Sequence, residues 1–310
     1  MNVFLWHVHG SWTTAFVQGP HRYLVPRLPD RSAFGRGRAE TWSWPASVEE
    51  VTPEEARQRA VDVLIVQRPE ELALARSWLG REPGVDLPAL YVEHNAPAGA
   101  VPSTRHPVAD RPELTLVHVT HWNRLFWDAG STRSVVVEHG IVDPGYLYTG
   151  TLPRVVVVVN EARRRGRVTG TDLIPRFEKA APLDLFGMDS APLGGHGNLP
   201  QAVLHRVMAR RRVYLHLCRW TSLGLSLLEA MHLGMPVVAL STTEVPEAVP
   251  REAGVVSNRL DHLEAALRRL VADPAEARAR GLAARRAAQR RYGLARFLRD
   301  WELLLQEVVA

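Results

Sequence analysis

The chain contains short, uninterrupted runs of valine, isoleucine and leucine that alternate with segments of helical periodicity. Uninterrupted apolar runs are typical of strands covered on both faces, as in parallel sheets. The helical segments between them supply the crossovers that parallel strands need. The sequence therefore predicts an α/β fold. The predicted strands cover residues 3–8, 61–67, 89–95, 115–120, 134–140, 154–160, 183–188, 211–217, 236–241 and 254–257.

The spacing of apolar residues predicts helices over residues 69–80, 122–130, 199–211, 223–234 and 260–273. The alternation pauses once, over residues 143–153, where two prolines and two glycines interrupt the pattern. A chain of 310 residues also exceeds the size of most single domains. We therefore expect two Rossmann-like domains, residues 1–150 and 151–294, followed by an amphipathic closing helix over residues 295–310.

Composition excludes several classes of protein. No stretch approaches the roughly 18 apolar residues of a membrane span, and the first ten residues lack the features of a signal peptide. The single cysteine, Cys218, excludes a disulfide framework and a thiolate metal cage. The net charge of +5 is not gathered into a continuous basic stripe, which argues against nucleic acid as a partner. A cytoplasmic location is the expectation.

Histidines recur at the ends of the predicted N-terminal strands. Ligands of α/β proteins bind beyond the carboxyl ends of parallel strands, so these imidazoles are expected to meet at one edge of the sheet. This pattern predicts a polar binding site in the first domain. The histidines concerned are His7, His9, His94, His118, His121 and His139, and Gly10 follows the first pair.

A metal site is one alternative interpretation, because His7 and His9 share a strand face and imidazole is a common ligand. The sequence has no H-E-x-x-H helix and no tight carboxylate cluster, which favours substrate recognition without a metal. Trp12 and Trp122 lie beside these strand ends. Their rings are candidates either for stacking on a sugar or for core packing, and the sequence leaves both open.

The most informative C-terminal stretch follows the strand predicted over residues 211–217. Ser222 is a candidate cap for the next helix, Gly224 permits a close backbone approach, and the helix start offers N–H groups to an anion. Glu229 lies inside the same helix among apolar residues, and a buried carboxylate needs a partner. A ribose diol and an internal salt bridge are the two candidates.

Two arginine-rich segments have open interpretations. Arg163 and Arg165 follow a predicted strand, where they either neutralise a diphosphate or belong to a solvated loop. The arginines within residues 275–291 indicate a solvated helix face, with peripheral contact to an anionic membrane as the alternative.

Residues 221–239, TSLGLSLLEAMHLGMPVVA, resemble the donor-binding signature of retaining GT-B glycosyltransferases of the group 1 or family 4 type. That signature is E-G-F-G-L-P-x-L-E-A-M-A-x-G-x-P-V-V-A. Other segments are similar in order: Gly10 matches the first-strand glycine loop, residues 91–95 and 115–120 match two strand ends, and residues 136–143 match the IPNGVD element.

The resemblance implies two Rossmann domains facing across a cleft, with the closing helix returning to the first. It implies transfer of a sugar from a nucleotide-diphosphate sugar with retention, with no metal and no other cofactor. The acceptor is undefined and belongs to the glycans, lipids or small metabolites. The implied catalytic residues are His94 and His9; the donor site comprises Glu229 (ribose), Thr221, Ser222, Leu223, Gly224, Leu225, Arg163 and Arg165; the acceptor side comprises Gly10, Trp12, His121 and His139.

Two departures from the family pattern define the alternatives. Thr221 stands where the family has the first glutamate of its E-x7-E pair, and residues 169–172 (TGTD) replace its Lys-Gly-x-Asp segment. These replacements motivate a second hypothesis, a catalytically degenerate relative that binds sugar or nucleotide as a partner protein. A nicotinamide-dependent dehydrogenase is disfavoured, because no G-x-G-x-x-G follows any predicted strand.

Overall fold

The computed structural model describes all 310 residues, and the chain divides into two compact α/β units. Unit 1 comprises Met1–Gly140 together with Leu294–Ala310, and unit 2 comprises Ile141–Gly293. Each unit has one fully parallel sheet covered by helices, so the predicted α/β class is confirmed. None of the helices combines the length and the apolar character that crossing a membrane requires.

Unit 1 contains a seven-stranded sheet of order β3-β2-β1-β4-β5-β6-β7. Its central strands are buried on both faces, as the apolar runs predict; all four residues of β4 are fully buried. The strands are β1 (Asn2–Leu5), β2 (Arg22–Pro26), β3 (Val48–Val51), β4 (Val63–Val66), β5 (Ala89–Glu93), β6 (Thr115–His118) and β7 (Arg133–Val136). The first four helices are α1 (Gly10–Phe16), α2 (Pro53–Arg57), α3 (Pro69–Leu79) and α4 (His121–Phe126).

Unit 2 contains a five-stranded parallel sheet of order β12-β11-β10-β8-β9. Its core lies on both faces of this sheet and includes the buried apolar face of the helix that follows β10. The strands are β8 (Leu152–Val158), β9 (Leu183–Phe186), β10 (Arg211–His216), β11 (Val237–Ala239) and β12 (Gly254–Val256). The helices are α5 (Gly166–Thr169), α6 (Ile174–Glu178), α7 (Gln201–Met208), α8 (Leu225–Leu233), α9 (Val245–Ala248), α10 (Leu260–Ala272) and α11 (Pro274–Tyr292).

All ten predicted strands are present, and each ends earlier than predicted, because the last residues of each apolar run leave the sheet before the run ends. Strands β2 and β3 and helix α1 were not predicted from the pattern. In β3 the central residues are Glu49 and Glu50, which pair with arginines such as Arg22 and Arg31. An edge strand stabilised by ion pairs has no continuous apolar run, so its sequence lacks the signal on which the other predictions depend.

The last helix, α12 (Leu294–Val309), belongs to unit 1. The ring of Trp301 lies 5.0 Å from that of Phe16 and 5.7 Å from that of Trp12, and Phe297 is fully buried. The amphipathic pattern of residues 295–310 thus serves to complete the core of the N-terminal unit, as the resemblance implies.

The boundary between the compact units follows Gly140 and not residue 150, the boundary expected from the prolines and glycines. The intervening segment is bound to unit 2. The Ile141 N–H donates to the Tyr292 carbonyl (3.0 Å), and Asp143 forms an ion pair with Arg285 (2.8 Å). The Tyr148 hydroxyl donates to the Arg212 carbonyl (2.9 Å). The turn residues therefore lie within the second unit rather than between the two.

Helix α8 and helix α11 approach each other closely at two glycines. Gly234 ends α8 in the left-handed conformation (φ +88°), which glycine adopts without steric cost. A Cβ added to Gly281 of α11 would meet the Gly234 carbonyl oxygen far inside van der Waals contact. The packing of α11 on α8 therefore requires glycine at residue 281.

We expect Gly281→Ala to destabilise the protein, although alanine is favoured over glycine in a helix by about 1 kcal/mol. The added methyl group forces α11 away from the backbone of Gly234, and overpacking of this kind costs about 1–3 kcal/mol of stability. The measurement is the midpoint of thermal unfolding. Ala279→Gly, at an exposed position of the same helix, is the control and gives the propensity effect alone. A Gly281→Ala variant more stable than the parent would contradict this account of the packing.

Candidate functional site

Three of the predicted histidines meet at the carboxyl edge of the unit 1 sheet. His9 follows β1 and precedes α1, His94 follows β5, and His139 follows β7. The His9 and His94 rings lie 4.1 Å apart, and the His94 and His139 rings 6.3 Å apart. We call these three residues the histidine cluster. The strand-end pattern in the sequence thus corresponds to a real group of neighbouring imidazoles.

Two members of the histidine cluster, His94 and His139, are neutral at pH 7. Burial, reinforced by the positive charge that His9 and His139 would carry, holds the pKa of His94 well below its usual range. Burial, together with the charges of His9 and Arg296, lowers the pKa of His139 to about 3. A neutral imidazole has one N–H donor and one acceptor nitrogen, so these rings can bind hydroxyl groups without carrying charge. No group of three or more His, Cys, Asp and Glu side chains in the chain has the geometry to hold a metal ion.

Trp12 packs in the core and does not offer a face to a sugar, so its predicted acceptor-side contact is wrong. Its side chain is fully buried, with its ring stacked on Phe16 (4.9 Å, 11°). Its edge contacts include the His94 ring at 5.1 Å. Trp12 therefore packs in the core against one member of the histidine cluster, His94. This is the core-packing alternative that the sequence left open.

The remaining N-terminal candidates lie at the starts of helices. Gly10 is the first residue of α1, and His121 is the exposed first residue of α4. Thr120 caps α4 by accepting a hydrogen bond from the Asn123 N–H (3.0 Å). Trp122 stacks on Phe126 of the same helix at 4.5 Å.

A buried polar network holds the segment that carries His94. Glu93 accepts hydrogen bonds from His106 Nε2 (2.9 Å) and from the Asn95 N–H (2.5 Å). The Asn123 amide donates to the Asn95 carbonyl (3.2 Å). His118 is fully buried beside this network, and burial lowers its pKa to about 3. Of the strand-end histidines, His118 is therefore a core residue.

In unit 2, the first turn of α8 lies at the carboxyl end of β10. Helix α8 begins at Leu225, so Leu225 and Ser226 present N–H groups that have no partner within the helix. Gly224 and not Ser222 occupies the N-cap position, and Gly224 has no side chain with which to cap the helix. Ser222 and Leu223 are buried in the preceding loop.

The loop before α8 closes over His216, a residue that the sequence analysis missed. A Cβ on Gly224 would lie 2.6 Å from Cε1 of His216, so only glycine fits there. His216 is buried, its Nε2 has no hydrogen-bond partner, and burial lowers its pKa to about 4. A histidine at the carboxyl end of a predicted strand was the available signal.

The arginine run after β8 separates into paired and unpaired members. Arg164 pairs with Glu161, whereas Arg163 and Arg165 form no ion pair with a carboxylate. Burial raises the pKa of the Cys218 thiol to about 11, although the positive charge of Arg165 opposes the shift. The Arg165 guanidinium therefore lies near Cys218, which follows the end of β10. The Thr221 hydroxyl is buried in the loop after β10 and has no hydrogen-bond partner. Strands β8 and β10 are neighbours, so Arg165 and the start of α8 share one edge of the sheet.

Glu229 lies in the second turn of α8, is only 5% exposed and has partners on α7. Gln201 Nε2 donates to its Oε2 at 2.5 Å, and His205 Nε2 lies 3.4 Å from the same oxygen. The sequence placed Glu229 correctly inside the helix and required a partner for it. The two α7 residues were not predicted.

Residues 156–302 match the family model described as glycosyl transferase-like. No curated protein shows a significant match to the chain. Among solved structures, sucrose-phosphate synthase from Thermosynechococcus elongatus is 13% identical with a TM-score of 0.73, and 99% of each chain is covered. Anabaena HepE in complex with UDP and glucose is 14% identical with a TM-score of 0.71, over 99% of this chain and 100% of HepE.

A third structure, TarM of S. aureus in complex with fondaparinux, α-GlcNAc-glycerol and UDP, is 12% identical with a TM-score of 0.60. That match covers 78% of this chain and 55% of TarM, so the chain spans about half the length of this relative. The chain therefore has the GT-B glycosyltransferase fold, as shown by its two parallel α/β sheets and by its similarity over the full length to the sucrose-phosphate synthase and HepE structures.

Proposed function

We propose that this protein transfers a sugar from a uridine-diphosphate sugar to a hydroxyl acceptor. The observation that carries the proposal is at one edge of the unit 2 sheet. Arg165 follows β8, and the start of α8 and the Glu229 carboxylate follow the neighbouring strand β10. Uridine is chosen because the HepE structures hold UDP or UDP-glucose, and a pneumococcal O-GlcNAc transferase structure holds UDP and GlcNAc.

The diphosphate would bind at the first turn of α8. Main-chain N–H groups and the positive end of the helix macrodipole favour an anion there. Arg165 and the exposed Arg163 add two cations that form no ion pair with a carboxylate, although the charge of Arg165 also acts on Glu161. As the bond to the sugar breaks, negative charge grows on the departing diphosphate, and these groups would stabilise it without a metal.

The ribose would bind to Glu229, because a carboxylate accepts hydrogen bonds from both hydroxyls of a vicinal diol. On the acceptor side, His94 would contact the transferred sugar, with His9 beside it. Because burial keeps the pKa of His94 well below 7, this ring would act as a neutral hydrogen-bonding group and not as a cation. Retention of configuration and a glycan, lipid or small-metabolite acceptor are part of the same proposal.

Thr221 favours a second candidate, a binding protein that has lost turnover. Thr221 occupies the position of a family glutamate, so that carboxylate is absent, and the Thr221 hydroxyl is buried without a hydrogen-bond partner. A protein of this kind would bind the nucleotide and release none from its sugar. Measurements of turnover separate the two candidates.

The first prediction is release of UDP from UDP-sugars, and not of GDP or ADP from their sugars, in a panel assayed with and without simple sugar acceptors. Release is expected to persist in the presence of EDTA, since the proposed charge stabilisation comes from the protein. Thermal unfolding with each nucleotide is the companion measurement. Stabilisation by UDP without any release would favour the binding-protein candidate. Release of a different nucleotide would refute the choice of uridine.

The second prediction concerns the ribose contact. Glu229→Gln keeps the shape of the side chain but removes its charge, and a hydrogen bond to a charged group contributes about 1.5–3 kcal/mol. The affinity for UDP, measured by calorimetry, should therefore fall about tenfold or more. Glu252→Gln, at an exposed position of unit 2, is the matched control and should leave the affinity unchanged. An unaltered affinity in Glu229→Gln would remove the ribose assignment.

The third prediction separates turnover from binding. His94→Asn retains a polar side chain but moves the hydrogen-bonding atoms, so kcat should fall by about 100-fold while the affinity for UDP stays within twofold. The exposed His262→Asn serves as control. A loss confined to nucleotide affinity would show that His94 does not contact the transferred sugar.

A further inference from the structure

Glu229 is held by two side chains of the neighbouring helix, and nothing in the proposed reaction explains them. Gln201 is the first residue of α7, and His205 follows one turn later on the same face. We propose that Gln201 and His205 are positioning residues: they fix the Glu229 carboxylate in the orientation that selects a ribose over a deoxyribose. This inference rests on the proposed function, because it assumes a nucleotide ligand at Glu229.

The Gln201 amide makes two hydrogen bonds. Its Nε2 donates to Glu229 Oε2 at 2.5 Å and approaches His205 Nε2 at 2.8 Å. A primary amide nitrogen has two hydrogens and no acceptor capacity, so both hydrogens are used. His205 Nε2 must then be the acceptor, which places the imidazole proton on Nδ1.

His205 acts mainly through Gln201. Its Nε2 lies 3.4 Å from Glu229 Oε2, beyond the usual length of a hydrogen bond between these atom types, whereas its bond to Gln201 is short. The imidazole therefore fixes the rotation of the amide, and the amide fixes the carboxylate. Removing Gln201 should have the larger effect, and removing His205 should have little effect once Gln201 is gone.

Because Glu229 and His205 are buried, the loss of a hydrogen bond between their side chains and Gln201 should affect ligand binding. Glu229 is 5% exposed and His205 7% exposed, so water does not replace a lost partner easily. A carboxylate whose orientation is already fixed loses little freedom when a diol binds, and the gain appears as affinity for the ribose hydroxyls. Without Gln201, the carboxylate loses the short hydrogen bond that orients Oε2, and the preference for the 2′-hydroxyl should fall.

The test is calorimetric binding of UDP and 2′-deoxy-UDP to the full-length parent, Gln201→Ala, His205→Ala and the double variant. The parent should bind UDP about tenfold more tightly than 2′-deoxy-UDP, as expected for one lost hydrogen bond to a charged group. In Gln201→Ala the UDP affinity should fall by more than the 2′-deoxy-UDP affinity, until the two ligands bind within about twofold of each other. The double variant should match Gln201→Ala.

Gln306→Ala is the matched control, because Gln306 Nε2 donates to Glu302 Oε1 (2.7 Å) in an exposed pair on α12. Its discrimination between the two ligands should equal that of the parent, and thermal unfolding of every variant reports its folding. Equal losses of both ligands in Gln201→Ala, or none, would overturn the positioning role even though the parent binds UDP. A parent that binds UDP and 2′-deoxy-UDP equally would also overturn it, while a parent that binds neither would refute the nucleotide site and this inference together.

Discussion

Burial of the parallel strands on both faces is the constraint on which the rest of this structure depends. A strand such as β4, with every residue inside, has no room for a functional polar side chain along its length. Polar chemistry is therefore confined to the carboxyl ends, where the chain leaves the sheet. The histidine cluster in unit 1 and the start of α8 in unit 2 both occupy such ends. One rule of strand packing thus accounts for where both candidate sites lie.

The same constraint explains what could be predicted from the sequence. Continuous apolar runs indicated ten of the twelve strands, and the residues after them indicated His9, His94 and His139 as neighbours. The pattern failed where it was replaced by charge pairing, as in β3 with Glu49 and Glu50. It also failed for Trp12, because the partners that bury this ring include Trp301, far along the chain. A contact of that kind has no local periodicity.

Long-range polar contacts were beyond the reach of sequence reasoning for the same reason. Glu229 was identifiable as a buried carboxylate that needed a partner, since its neighbours in the helix are apolar. The identity of that partner depends on α7 packing beside α8, and Gln201 lies 28 residues away. His216 is similar: its place in the strand was predictable, but the closure of Gly224 over its ring depends on the fold of the loop. Sequence patterns thus indicate which element carries a buried polar residue, but they do not identify the residue that it contacts.

Threonine at residue 221 does more than remove the family's glutamate side chain. It also changes the electrostatic potential at the carboxyl edge of the unit 2 sheet. A carboxylate at this position would oppose the negative charge of a diphosphate unless a ligand hydroxyl or a cation accompanied it. Threonine is uncharged and the Cys218 thiol is neutral, so the nearby charge is that of Arg165. The start of α8 adds a further positive potential. The replacement therefore leaves the edge more favourable to an anionic diphosphate, which both proposed functions require.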